Sequence, residues 1–295
     1  MSQRRRHRSS SPEPPPGPHR PRKRFGQHFL TDPRILARIA DAALLEAGDT
    51  VIEIGPGRGA LTDALRARAS HVVAIEVDRD LAGALRARYA GDAHVSIVEG
   101  DVLAMSLGEL GAASGAVLVG NVPYYITTPI IFQALEPPRA KRAVFLVQRE
   151  VAERIVAPPG SKTYGALSVN VRAFARAELL FPVHAGAFHP APSVESAVVR
   201  LTPLAAPVVP APLEAAFRSF VTDVFALRRK QMRRVLRTIT ERSVEEVDAL
   251  LARVDVDPGS RPETLEVEHF AALAKAIYER EYEIAESRTN CAEPG

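Results

Sequence analysis

Cysteine is almost missing from this chain of 295 residues: Cys291 stands alone. A single thiol can form no intramolecular disulfide and no cysteine-rich zinc site, and such sparing use fits a reducing compartment. Long apolar runs are missing as well. The most apolar stretch, 116–132, is broken by Asn121, Pro123 and Pro129, so it falls short of the ~20 largely apolar residues a membrane-spanning helix needs. Residues 1–22 have almost nothing apolar and combine six prolines with a run of arginines. Such a segment cannot bury enough surface to offset chain entropy and reads as a disordered tail. It offers no apolar core for a secretory signal, and its proline density prevents the amphipathic helix of a transit peptide. The expectation is a cytoplasmic protein without a membrane segment or a metal site. No internal repeat is evident.

What is present is ordinary for a folded protein: 46% hydrophobic and 25% charged residues. The length suits a catalytic-size domain followed by a smaller one. The net charge of +3 hides a division. Residues 1–24 carry eight Lys/Arg against Glu13, a net +7, and residues 228–242 carry seven against Glu241, a net +6, so the remainder sums to −10. Basic charge gathered in two places suits a polyanion, because Lys and Arg at phosphates release condensed counterions.

The pattern along the chain predicts alternating elements. Asp32-Pro33 opens an amphipathic helix over 32–47. Short apolar runs follow at 51–54, 72–76, 95–101, 116–121 and 143–148, with helices predicted after the first to about Arg68 and after the second over about 78–90. Buried strands separated by helices imply a parallel sheet covered on both faces, the doubly wound α/β class, with ligands at the carboxyl ends of the strands. ELLFPV (178–183) and SAVVRL (196–201) predict a closing hairpin on the far edge. A Pro-rich linker at 204–212 then leads into a small all-helical domain, with helices at about 213–226, 228–240, 244–253 and 263–283. The expected division is a tail over 1–22, an α/β domain over 23–203, the linker, a helical domain over 213–284 and a tail over 285–295.

The turn after the first of these strands, EIGPGRGALT (53–62), is glycine-rich. Gly55, Gly57 and Gly59 let the backbone turn sharply and approach a ligand closely. Glu76 ends the second strand, 21 residues after Gly55, where a carboxylate can accept both ribose hydroxyls. Asp101 ends the third, placed to accept a hydrogen bond from an adenine amine. The glycine turn and Glu76 suit NAD and S-adenosylmethionine (SAM) alike. NVPY (121–124) at the fourth strand separates them. The lone pair of adenine N6 is delocalised into the ring, so the amine is a poor nucleophile. Acceptors from the Asn121 side chain and a neighbouring backbone carbonyl in the Pro123 turn can hold both N–H bonds and favour a more tetrahedral nitrogen. Tyr124 offers a face on which an extruded base can stack. A dehydrogenase has no use for this tetrapeptide.

Together KRFGQHFL (23–30), EIGPGRGALT, EGD (99–101), NVPYYIT (121–127), FHPAPSVESAVVRL (188–201) and FALRRKQMRRVL (225–236) resemble, in order, the motifs of the ribosomal RNA adenine N6,N6-dimethyltransferases, and most closely the bacterial small-subunit branch. The resemblance runs from about Lys23 to about Ile284. It implies a Rossmann-like SAM-dependent methyltransferase sheet with a helical domain. The reaction it implies is dimethylation of two adjacent adenosines in the 3′-terminal hairpin loop of 16S rRNA, by a monomer acting on a small-subunit assembly intermediate. It implies that His28 and Leu30 close over SAM, Gly55 lies under its amino-acid end, Glu76 holds the ribose, Asp101 the adenine, and Asn121 both SAM and the target amine. Phe188 would sandwich the flipped adenine with Tyr124. Arg228, Arg229, Lys230, Arg233 and Arg234, continuing to Arg237 along one helix, would grip phosphates. His28 stands where many relatives carry Asn, which favours a backbone role; Val122 replaces a common Leu or Ile. Two alternatives stay open: a large-subunit (23S) rRNA adenine methyltransferase conferring macrolide resistance, and a non-catalytic ribosome-assembly factor that keeps the fold.

Overall fold

The computed structural model describes residues 27–108, 110 and 115–278. The Arg/Pro tail, Cys291 and the segment from 279 onward lie outside the described residues. Nine strands and ten α-helices are seen among the described residues: β1 (Phe29–Leu30), α1 (Pro33–Ala42), β2 (Thr50–Ile54), α2 (Ala60–Arg66), β3 (His71–Glu76), α3 (Arg79–Arg88), β4 (Val95–Glu99), β5 (Val117–Asn121), α4 (Thr127–Ala134), β6 (Arg142–Gln148), α5 (Arg149–Val156), α6 (Ala166–Phe174), β7 (Ala175–Val183), β8 (Phe188–His189), β9 (Ser196–Pro203), α7 (Glu214–Ala226), α8 (Met232–Thr240), α9 (Val244–Arg253) and α10 (Val267–Ile277).

Seven strands form one sheet in the order β4-β3-β2-β5-β6-β9-β7, and β1 pairs separately with β8. β2 to β6 are parallel, while β9 runs antiparallel to both of its neighbours. The chain builds β2, β3 and β4 outward in one direction and then returns to place β5 on the other side of β2. That reversal puts a topological switch point between the carboxyl ends of β2 and β5, where doubly wound sheets bind ligands. The expected edge hairpin is present as β7 and β9, with β9 inserted between β6 and β7.

Alternate strand residues feed two apolar layers, as the period of two requires. Val51, Val72, Val117 and Val119 pack with α1 and α2 on one face. Ile52, Leu118, Phe145 and Val199 pack on the other with α4, α5 and α6, and this layer continues without a break into α7, α8, α9 and α10. Phe217 of α7 meets Phe174 of α6 edge-on at 6.0 Å, Phe225 stacks on Phe270 at 5.6 Å, and the buried Tyr164 hydroxyl donates to the Leu265 carbonyl at 2.9 Å. The Pro-rich segment is itself bonded to α6, through Leu204 N–H to Phe174 O and Val208 N–H to Ala173 O, each at 2.9 Å.

The helices differ from their predicted spans in instructive ways. The first ends at Ala42, not 47, because Leu44 takes a left-handed φ of +48°. Its start is as expected: Asp32 accepts from the Arg34 and Ile35 amides and Pro33 fills the first turn. α4, α5 and α6 had no predicted counterpart. Most of α6 is buried on every side, so it lacks the amphipathic period that reveals a helix. In place of a helix over 228–240, residues 228–231 form a turn and α8 begins at Met232, so Arg228, Arg229 and Lys230 are not on one helix with Arg233 and Arg234. In place of 263–283, a 3-10 turn at Pro262–Thr264 precedes α10, which ends at Ile277; residues 279–283 fall outside the described residues.

Candidate active site

The carboxyl ends of β2, β3, β4 and β5 open onto one cleft. Gly55, Glu76, Asp101, Asn121, Pro123 and Tyr124 all line it, together with His28 from the segment before β1. Side chains spread over nearly a hundred positions of sequence thus meet because parallel strands bring their carboxyl ends to one edge.

The glycine loop is shaped for close approach. Gly55 and Gly57 take φ of +70° and +58°, conformations that side chains rarely adopt. A Cβ on Gly57 would press the Phe29 ring at 3.0 Å, and one on Gly55 would meet the Asn121 carbonyl at 3.4 Å. The Gly57 amide donates to Glu76 Oε2 at 3.0 Å and the Asp78 amide to Glu76 Oε1 at 2.9 Å. These bonds fix the carboxylate with acceptor capacity left on both oxygens. Burial pushes the Glu76 carboxyl up, against the pull of those two amides. Asp101 is exposed at the cleft wall, its Oδ1 accepting from the Leu103 amide at 3.0 Å. A glycine cradle with two carboxylates at successive strand ends fits a ribonucleoside with an adenine amine and a flexible amino-acid arm, as SAM has.

Asn121 is oriented from outside its own strand. Its Nδ2 donates to the His28 carbonyl at 2.9 Å, while Oδ1 accepts nothing among the described residues and remains available as an acceptor. His28 acts here through its backbone, and its ring Nδ1 lies 2.8 Å from the Pro190 carbonyl. The same ring stacks on Tyr124 with centroids 6.1 Å apart. The Tyr124 hydroxyl lies 2.7 Å from Ser196 Oγ at the start of β9. Burial pushes that phenol up, and the Ser196 bond pulls the other way. The ring is therefore held at both ends as a fixed platform.

Two expected contributors are placed elsewhere. Phe188 does not line the cleft: it is 5% exposed, paired with Leu30 across the β1–β8 ladder and packed in the α1/α2-side core. Facing Tyr124 across a base would require it to leave that core. Leu30 is buried in the same cluster and lines instead a neighbouring cleft on the other side of the glycine loop, which shares Phe29, Gly55, Gly57 and Asn121 with the first.

The basic run divides by pairing. Arg228 is tied to Glu263 at 2.7 Å and Arg233 to Asp248 at 2.6 Å, so their charges are already met within the protein. Arg229, Lys230, Arg234 and Arg237 are exposed, with no ion pair among the described residues. No group of three or more His, Cys, Asp or Glu among the described residues could hold a metal ion, and no helix there is long and apolar enough to cross a membrane.

Three further contributors carry no task that the motifs predict. Glu53, the first residue of the glycine-loop motif, is fully buried, with Oε2 accepting from Thr62 Oγ at 2.6 Å and Oε1 without a hydrogen-bond partner among the described residues. Burial, reinforced by the nearby Glu76 charge, pushes its carboxyl up to about 8 against the Thr62 bond. A lone carboxylate between two isoleucines in a buried strand is the signal that could have revealed it. Ser196 and Tyr125 stand inside the family-like motifs without an assigned task.

The sheet order, the single reversed strand and a strand-end cleft built on a glycine loop define a Rossmann-like methyltransferase. Comparison with known proteins agrees: the profile of the family described as ribosomal RNA adenine dimethylase matches residues 18–279. The chain belongs to that family. A curated relative, the ribosomal RNA small subunit methyltransferase A of Aromatoleum aromaticum, is 43% identical over 260 residues, covering 88% of this chain and 95% of that one. Among solved structures, a dimethyladenosine transferase from Plasmodium falciparum superposes with a TM-score of 0.72 at 25% identity, covering 86% of this chain and 98% of that one. The 23S rRNA methyltransferase ErmE gives 0.67 at 28% identity, covering 84% and 99%.

Proposed function

We propose that this protein transfers methyl groups from SAM to N6 of two adjacent adenosines in the 3′-terminal hairpin loop of 16S rRNA, acting as a cytoplasmic monomer on a small-subunit assembly intermediate. The observation that carries the reading is the free Oδ1 of Asn121, aimed by the His28 carbonyl, beside the fixed ring of Tyr124 in the cleft that Glu76 and Asp101 wall. The name of the Aromatoleum relative, at 43% identity against 28% for ErmE, favours the small subunit over the large one.

When bound, SAM supplies a methyl group already activated on a cationic sulfonium, so no strong base is needed to start the reaction. Glu76 holds the ribose, Asp101 meets the adenine amine of the cofactor, and the Gly55–Gly57 backbone leaves room for the amino-acid arm. Asn121 Oδ1 and a backbone carbonyl of the 121–124 turn accept the two N–H bonds of the target amine. That draws its lone pair out of conjugation and toward the electrophile. Tyr124 supports the extruded base, which costs least to unstack in a single-stranded loop. The exposed Arg229, Lys230 and Arg234 meet phosphates.

The test offers labelled SAM with small and large ribosomal subunits from a strain lacking both modifications, followed by mapping of the modified base. Two adjacent dimethyladenosines in the small subunit support the reading. Label in the large subunit transfers the protein to the 23S-directed class, and cofactor binding without label on either makes it an assembly factor.

A further inference from the structure

Six large apolar side chains are exposed among the described residues, and three of them, Val77 (46%), Leu103 (38%) and Tyr125 (61%), sit on the loops that follow β3, β4 and β5 at the mouth of the same cleft. Val77 and Tyr125 line it directly, and Leu103 follows the lining residues Asp101 and Val102. Tyr125 is the most exposed of the six and the single aromatic among them.

The backbone explains why Tyr125 is out while Tyr124 is in. Tyr124–Ile126 form one 3-10 turn, and with three residues per turn successive side chains point a third of a turn apart. Tyr124 faces His28 and Ser196. Tyr125 then has to face outward, and it makes no hydrogen bond, ring contact or ion pair among the described residues. Glu76 and Asp101 line the same cleft. An exposed ring with no ring partner among the described residues suits a flat partner that can stack on it.

We propose that Tyr125, rimmed by Val77 and Leu103, is a second stacking platform that takes the unpaired nucleobase next to the adenosine being methylated. This deepens the proposed function and rests on it. When one base of a single-stranded loop is drawn onto Tyr124, its neighbour loses a stacking partner. An exposed aromatic one residue along the chain, turned a third of a revolution away, replaces that partner at the mouth of the cleft. Base–aromatic stacking is tolerant of sequence because every base presents a π-face, so Tyr125 serves either of two successive targets.

The test uses the full chain with S-adenosylhomocysteine and an RNA hairpin bearing two adjacent adenosines in its loop, compared with the same hairpin made abasic at each nucleotide flanking the target. Tyr125→Ala should weaken binding of the intact hairpin about 5- to 100-fold, with SAM affinity by calorimetry unchanged. Tyr125→Phe and Tyr125→Trp should bind as the native protein does. On the hairpin without the stacked neighbour, native and Tyr125→Ala proteins should bind equally. An equal loss on intact and abasic hairpins overturns the stacking role, as does a Phe variant that falls with Ala, and parallel loss of SAM affinity makes Tyr125 part of the cofactor site. Native protein that methylates the intact hairpin, with a Tyr125→Ala variant that binds it equally well, overturns this inference alone. Native protein that binds SAM but neither binds nor methylates the hairpin or the small subunit overturns the proposed function with it.

Discussion

The Asn121 carboxamide donates through Nδ2 to the backbone carbonyl of His28, 93 residues earlier in the chain, at 2.9 Å. One bond thereby links the end of β5 to the segment crossing over the cleft, and it decides which amide atom the cleft receives. Reversing the amide would turn two donors toward the amine that has to be held, and the site would repel its substrate.

Asn121→Ala removes both the acceptor and that link. Turnover should fall by roughly 10²-fold or more, the scale on which a misplaced reacting group is felt, while SAM affinity by calorimetry changes far less. Equal losses in turnover and SAM affinity would mean that the side chain mainly builds the cofactor site.

Glu53 makes the stability of the fold depend on pH in a defined direction. Its folded pKa, pushed up to about 8, lies above the ordinary value of 4.5. Its contribution is thus fully favourable below the ordinary value and is lost as pH rises toward 8, at up to ~1.4 kcal/mol per pH unit. Glu53→Gln keeps an acceptor for Thr62 and cannot ionise. The difference in melting temperature between variant and native protein should shift in favour of Gln from pH 5 to pH 8; a flat difference would show that Glu53 is ionised in the fold.

Phe188 separates packing from base contact. Phe188→Ala empties a buried site, and truncations of this kind cost ~3–5 kcal/mol, visible in denaturant unfolding. Phe188→Leu keeps most of the volume, for a cost under ~1.5 kcal/mol, but has no aromatic face. A Leu variant near native stability whose RNA methylation is strongly reduced would place the ring against the flipped adenine. Native rates in that variant would assign it to the core.

The exposed cations of the turn before α8 and of α8 itself should govern the salt dependence of RNA binding. Reversing Arg229 and Arg234 should lower the slope of log affinity against log salt by ~0.7–0.9 for each phosphate no longer neutralised. Reversing Arg233 should have a smaller effect on the slope, because Asp248 already meets its charge. Equal slopes in all three proteins would make this surface a solvated one.

Much of the architecture was legible because its signals are local. Strands β2 to β6 begin within a residue of the predicted apolar runs; β2, β3, β5 and β6 are largely buried, as a parallel strand covered on both faces must be, whereas β4, at the sheet edge, has no buried residue. Gly55, Glu76, Asp101 and Asn121 could be named as neighbours from the chain alone, because the carboxyl ends of parallel strands necessarily share one edge. The ordered motifs, from the glycine loop to NVPY and beyond, carried the resemblance to the family.

Tertiary structure decided what depends on distant partners. Phe188 and Leu30 pack into one apolar cluster because β1 and β8 pair, a pairing across more than 150 residues that no local pattern encodes. Arg228 and Arg233 gave up their free charge to Glu263 and Asp248, carboxylates brought near only by the packing of the C-terminal helices. Glu53 became a perturbed carboxyl because the fold buries it completely, which outweighs the bond from Thr62. Sequence determined which chemistry the strand ends could offer, since that follows from residue type and periodicity; the fold determined which side chains are free to use it, since burial and charge pairing are set by neighbours far along the chain.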